Sequence, residues 1–257
     1  MEGLGIALNS FCYFYNFGEY LMKQSKICLA LDGLSLGVVM RLLAEFGGRL
    51  RAGKIHDLLD AFGPMVLRVI EALGVLPWVD YKIHDTKDTV ALRVAALVKN
   101  GAKIITVHAS GGVPMMQDAV KAAGDVAEIY AVTVLTSLDD KEIARIYGKD
   151  RTRMEIVHEF ALMAWEAGVR TVVCSALEVG MLKQSPDLPG MRFLVPGTRS
   201  AGVALGQQKR SATPREAIDA GADELVAGSQ VTGSKDPADA FEAFATEIGE
   251  PIAASHN

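Results

Sequence analysis

The sequence predicts an α/β fold, a single (β/α)8 barrel, and three observations lead there. The chain has 257 residues, a length that suits either two small domains or one large α/β barrel. From Lys26 onward, eight short apolar runs rich in Val, Ile and Leu alternate with longer segments of helical periodicity. No linker, low-complexity tract or charge block divides the chain. One barrel domain over residues 22–250 is therefore expected, with an N-terminal extension at 1–21 and a tail at 251–257.

The strand candidates in order are 27–32 (ICLALD), 49–53 (RLRAG), 76–82 (LPWVDYK), 103–109 (KIITVHA), 128–135 (EIYAVTVL), 170–175 (RTVVCS), 192–197 (RFLVPG) and 223–228 (DELVAG). They lack strict polar–apolar alternation, as strands buried on both faces of a parallel sheet do. Segment 88–102 repeats its apolar residues at helical spacing and closes on Gly101; segment 152–169 does the same and closes on Gly168. An open doubly wound sheet is the competing arrangement, and eight strand–helix units favour closure. In a barrel the chemistry lies at the C-terminal strand ends. Those ends carry Asp32, residues 51–54, 80–85 and 108–112, Thr136, Ser137, Cys174, Ser175, residues 196–199, Gly228 and Ser229. Together they form a polar ring around one mouth.

Composition narrows the function classes. Half the residues are apolar and 22% are charged, as in soluble globular domains. A net charge of −5 and a pI of about 5.6 give no global basic surface for nucleic acid. The longest apolar runs fall short of the ~20 residues that span a bilayer, so no membrane partner is expected. Cys12, Cys28 and Cys174 are odd in number and show no pairing or metal-ligand spacing, which fits a reducing cytoplasm. The first 21 residues crowd Phe11, Tyr13, Phe14, Tyr15, Phe17 and Tyr20 together, with no Lys or Arg before Lys23. That is not a secretory signal, and Met22 is expected to be the natural start.

Residues 80–85 (DYKIHD) are the most informative stretch. Asp80 and Lys82 stand two apart on a strand, so both side chains face the barrel interior. A buried carboxylate and a buried ammonium require each other, because each alone would cost several kcal/mol. Asp85 lies just past the strand end, where a loop could carry it over the cluster or across to a second subunit. The plain reading is a structural ion pair. The chemical reading is a lysine held protonated by flanking carboxylates as a proton donor. A carboxylate set against a substrate anion would also favour loss of that anion as carbon dioxide. Such a site needs neither a metal nor an organic electron sink. His84 reads as an outward-facing structural histidine and His108 as a hydrogen-bonded residue of the mouth, with no second ligand at metal spacing. Met115, Met116, Met163 and Trp165 read as helix packing.

Eight short motifs follow one another: 30–32 (ALD), 62–64 (FGP), 80–89 (DYKIHDTKDT), 107–112 (VHASGG), 133–137 (TVLTS), 173–178 (VCSALE), 196–199 (PGTR) and 213–214 (TP). In this order and spacing the chain resembles the orotidine 5'-phosphate decarboxylase family from about Lys26 to Ile248. The resemblance implies a homodimer of barrels that makes uridine monophosphate without a cofactor. It implies that Lys82 is the proton donor, that Asp80 faces the departing carboxylate and that Asp85 enters the partner's site. Asp32 and the residue at position 51 would hold ribose hydroxyls, helped by Thr89 from the partner. Thr136 and Ser137 match the stretch that contacts the pyrimidine. Arg199 and Gln208 match the loop that closes on the phosphate.

The chain also departs from the family pattern. Arg51, in residues 51–54 (RAGK), stands where the family's K-V-G pattern has a lysine of an alternating Lys-Asp-Lys-Asp array, and a planar guanidinium cannot occupy the point of an ammonium. Residues 85–89 read DTKDT in place of D-I-P-N-T, so Thr86 replaces an apolar residue near the leaving carboxylate. Gly228 is followed by Ser229, where the family has an arginine that grips phosphate. A charge-assisted hydrogen bond contributes roughly 1.5–3 kcal/mol, so its loss weakens phosphate binding by about one to two orders of magnitude. Amides near Gly228 and the side chains of Gln208, Lys209 or Arg210 could offset part of that. Three functions follow: a decarboxylase of orotidine 5'-phosphate with an altered site, a paralogue acting on another pyrimidine nucleoside or nucleotide, or a weakened barrel kept as a binding protein.

Overall fold

The computed structural model describes residues 25–202 and 212–250. Gln208, the 1–21 extension and the 251–257 tail lie outside the described residues. Eight parallel strands close into a barrel in sequence order: β1 (Ile27–Ala30), β2 (Ala52–Ile55), β3 (Leu76–Ile83), β4 (Ile104–His108), β5 (Glu128–Val132), β6 (Thr171–Val173), β7 (Arg192–Val195) and β8 (Glu224–Ala227). The ring closes where Cys28 on β1 pairs with Val226 on β8.

The helices are α1 (Leu36–Phe46), α2 (Asp57–Phe62), α3 (Met65–Ala72), α4 (Lys87–Lys99), α5 (Val113–Ala123), α6 (Asp140–Tyr147), α7 (Arg153–Glu166), α8 (Ala176–Lys183), α9 (Pro214–Asp219), α10 (Ser229–Thr232) and α11 (Pro237–Glu247). The sequence marks their ends. Thr152 and Thr213 cap α7 and α9 in reciprocal pairs with Glu155 and Glu216. Gly101 and Gly168 follow α4 and α7 at φ of 105° and 89°, a backbone region that favours glycine.

Two apolar layers result. Side chains facing outward from the strands pack under the helices in one large core, with Leu29, Val79, Ile105 and Val172 at its centre. Inward-facing Cys28, Ala52, Trp78, Ile104, Tyr130, Val132, Val173, Leu194 and Val226 fill the barrel itself. The inner aromatics keep their polar ends satisfied. Trp78 Nε1 donates to Thr106 Oγ1 at 2.7 Å, and Tyr130 Oη donates to Glu224 Oε2 at 2.8 Å.

Below this plug, at the N-terminal strand ends, lies a ring of alternating charges. Arg51 pairs with Glu128 and, at 3.4 Å, with Glu224; Arg192 pairs with Glu128 and, at 3.3 Å, with Glu224. Arg51 and Glu224 are 5% and 3% exposed, so neither charge has water to fall back on. Burial opposes ionisation of Glu128, but the guanidinium groups of Arg51 and Arg192 hold its carboxyl below the usual range.

This ring overturns the expectation for Arg51. The second strand was expected at 49–53 and runs instead over Ala52–Ile55. Arg51 therefore precedes the strand and anchors the floor, far from the mouth. The alternating charges of the floor, not substrate, explain an arginine there. Arg51→Met is expected to lower unfolding stability by about 3 kcal/mol, because it leaves the buried Glu224 and the part-exposed Glu128 to Arg192 alone. Urea unfolding at neutral pH measures this, and a loss within about 0.5 kcal/mol would contradict the role.

Candidate active site

The later start of β2, at Ala52 and not at 49, brings Lys54 to the mouth. Lys54 pairs with Ala30 on one side and Trp78 on the other, so it stands level with the end of β1 and the middle of β3. Its ammonium lies between two carboxylates, Asp32 and Asp80, with Asp80 Oδ2 at 3.1 Å. Asp80 Oδ2 also receives Lys82 Nζ at 2.7 Å. The result is a continuous chain of alternating charges, Asp32–Lys54–Asp80–Lys82, laid across the ends of β1, β2 and β3. Lys54 was visible in residues 51–54 (RAGK) as part of the polar ring. The K-V-G pattern falls on Arg51 in that reading, and nothing local to residues 51–54 distinguishes Lys54 from it.

Asp80 is 8% exposed and is the centre of the chain. Burial pushes its carboxyl pKa up, but Lys54 and Lys82 together hold it below the usual carboxylate range. For Lys54, burial pushes down and the charges of Asp80 and Asp32 prevail, so it is held above the usual amine range.

Asp80 and Lys82 do converge, as the spacing predicts, although the simple pleat does not achieve it. Pairing with β4 shifts between Val79, opposite Ile105, and Ile83, opposite Val107. Four steps on β3 thus match two on β4. Lys82 sits at φ 48° in the left-handed region, at a cost of roughly 1–2 kcal/mol for a side chain other than glycine. The bulge turns the ammonium back over Asp80, and their ion pair holds the strained backbone in place.

A cavity of about 230 Å³ opens over the chain. Lys54, Asp80 and Lys82 form its charged wall; Val132, Leu194 and Val226 form an apolar floor; Thr136 and Pro196 stand at its rim. This shape suits a flat polar ring lying on an apolar base. Ser137, next to Thr136, is exposed. After β8, the neighbour of β1, Gly228 caps α10 and Ser229 begins it. Arg199 Nη2 reaches Ser229 Oγ at 3.5 Å, so one guanidinium does border this corner.

Asp85 and Thr89 stand apart. Asp85 is exposed and accepts a hydrogen bond from Thr86 N at 2.7 Å; among the described residues it forms no ion pair. Thr89 accepts from Thr86 Oγ1 at 3.0 Å at the start of α4. His84 is exposed, as expected. His108 is half-buried 5.8 Å from His84, ring to ring, and burial together with His84 pushes its pKa down. Asp32, His56 and Asp57 could meet a metal within 4.8 Å of one another. Asp32 there already receives the Lys54 ammonium and the His56 N–H, which leaves the set short of ligands.

Fold and site together define a class: a (β/α)8 barrel enzyme whose mouth carries alternating ammonium and carboxylate groups. The profile of the orotidine 5'-phosphate decarboxylase / HUMPS family matches residues 25–244, and the chain belongs to that family. Orotidine 5'-phosphate decarboxylase of Pseudoalteromonas translucida (strain TAC 125) is 41% identical over 223 residues, 84% of this chain and 93% of the relative. The enzyme of the same name from Streptococcus pneumoniae (strain Hungary19A-6) is 36% identical over 230 residues, 88% of this chain and 97% of the relative. The crystal structure of orotidine 5'-phosphate decarboxylase from Lactobacillus acidophilus superposes with a TM-score of 0.71 at 28% identity, covering 87% of this chain and 99% of that one. The chain is thus an enzyme of a carboxy-lyase family.

Because the folded state holds Asp80 below its unfolded pKa of about 3.9, its ionic stabilisation is complete above that value and is lost as pH falls through the lower, folded pKa. Asp80→Asn is therefore expected to melt below the parent protein at pH 7, and the gap should narrow as pH drops from about 4 towards 2.5. Calorimetry of both proteins across that range checks the sign; a gap that widens in acid would contradict it.

Proposed function

We propose that the protein decarboxylates orotidine 5'-phosphate to uridine 5'-phosphate without a cofactor. The observation that carries this reading is the buried Asp80 carboxylate, kept charged between Lys54 and Lys82 at the wall of the mouth cavity. The pyrimidine lies on the apolar floor beside Thr136 and Ser137, with its carboxylate against Asp80. Like-charge repulsion there destabilises the bound anion relative to the transition state, in which charge moves from the carboxylate to the ring carbon. The bond from that carbon to the carboxylate breaks, carbon dioxide leaves, and the electron pair stays on the carbon. Lys82 Nζ–H supplies the proton that quenches it, and solvent reprotonates the amine. Asp32 and Lys54 take the ribose hydroxyls, the role expected of position 51.

In this reading two chains share two sites in a cytoplasmic homodimer, and Asp85 and Thr89 cross to the partner's mouth. The face beside them supports this. Tyr81 donates to Asp60 of α2 and lies under Arg93 of α4, which puts both helices on one side of β3. On those helices and the start of α3, Phe62, Met65 and Leu92 are 50%, 65% and 74% exposed, an apolar patch suited to burial against a second copy. Lys82→Ala is expected to lose turnover by at least 10³-fold, since it removes the proton donor and the counter-charge together. Mixing it with Asp85→Ala should restore part of the activity, because one site of each heterodimer then has both residues. Verified heterodimers without such rescue would argue against shared sites.

A second reading is favoured by one observation: the phosphate corner holds Ser229 where the family pattern has arginine, with Arg199 beside it. A paralogue taking a pyrimidine nucleoside or nucleotide with a different 5' group would show this change. Ser229→Arg separates the two. If orotidine 5'-phosphate is the substrate, a second planar fork at the phosphate should lower its KM at least severalfold. Negligible turnover before and after the change, with the fold intact, would favour the paralogue.

A further inference from the structure

We infer that His56 and Asp57 act together as a clamp on the Asp32–Gly33 turn, and that His56 is a positioning residue for the Asp32 carboxylate. The inference rests on the reading of Asp32 as a substrate-binding group. His56 is the single residue between β2 and α2, where it caps the helix. Its backbone N–H donates to Asp32 Oδ1 at 2.9 Å, and its ring Nε2 lies 3.3 Å from the same oxygen. The other ring nitrogen is occupied, since Nδ1 accepts from Asp57 N at 2.7 Å. An imidazole whose Nδ1 accepts carries its proton on Nε2, so an N–H faces Asp32. Asp57 completes the grip, as its Oδ2 accepts from Gly33 N at 2.9 Å.

The Asp32 carboxylate is thereby held from two sides. Lys54 bonds Oδ2, while His56 supplies a backbone donor and a ring N–H towards Oδ1. A helix cap alone would need only Nδ1. The second nitrogen has an assignable purpose: it fixes the plane of Asp32 so that the carboxylate cannot rotate wholly onto Lys54.

Two substitutions separate capping from positioning. His56→Asn keeps an acceptor for Asp57 N but removes the N–H towards Asp32; His56→Gln keeps an amide N–H at the reach of Nε2 but weakens the cap. KM and kcat for orotidine 5'-phosphate, and the melting temperature, would be measured for both. The clamp requires His56→Asn to raise KM about three- to tenfold with kcat changed less, at near-parental melting temperature. His56→Gln should recover most of the KM at a lower melting temperature. KM within twofold of the parent in His56→Asn, or no recovery in His56→Gln, would overturn the proposal. If the parent protein itself fails to turn over this substrate, the decarboxylase reading fails and the clamp is judged by nitrogen-15 NMR of labelled histidine. There the His56 ring should be protonated on Nε2 with a resonance that moves in Asp32→Asn; protonation on Nδ1 would sink it.

Discussion

Asp80 cannot be buried alone, and much of the mouth is arranged around that constraint. A carboxylate at 8% exposure needs compensating charge on more than one side. Lys54 comes from β2, which fixes the pairing step between β2 and β3; Lys82 comes from the same strand and reaches back only because β3 carries a bulge. Asp32, at the end of β1, in turn satisfies Lys54. Three adjacent strands are thus tied in register by one acid, and the left-handed backbone of Lys82 persists because its ammonium has a partner there.

The sequence carried the architecture well because the barrel repeats its own signal. Each strand is a short apolar run, each helix has a periodic face, and the glycines after α4 and α7 mark their ends, so errors at one element do not spread to the count. The third strand was readable to within one residue, 76–82 against Leu76–Ile83, since Asp80 and Lys82 have no comfortable place except together. The second strand was not. Residues 49–55 (RLRAGKI) place a cation at 49, 51 and 54, and local sequence does not say which one faces the mouth. Only contacts distant in sequence decide it: Glu128 and Glu224 claim Arg51, and Asp32 and Asp80 claim Lys54. The bulge was hidden for the same reason, because it is a property of pairing with β4 and not of β3 alone.

The two charge systems share a design yet differ in surroundings. The floor ring is closed, each member bonded to two others, and Tyr130 adds a hydroxyl to Glu224. The mouth chain is open at Lys82, whose side chain is 36% exposed and borders the cavity. Closed charge networks resist rearrangement; an open end is free to meet a ligand.

Counting charges at the mouth has a further consequence. Asp32, Lys54, Asp80 and Lys82 sum to zero, two carboxylates against two ammoniums. A neutral group of this kind exerts only a short-ranged, directional field and provides no net Coulombic pull on an arriving anion. It can discriminate among ligands already in place, whereas recruitment of an anion needs a cation outside the balanced group; among the described residues, Arg199 beside Ser229 is one such cation. The balanced ions and the corner beside Ser229 thus lie on neighbouring strand ends, β1 to β3 and β8, yet on separate side chains. A lineage can alter the corner, at a residue such as Ser229, while leaving the balanced ions untouched.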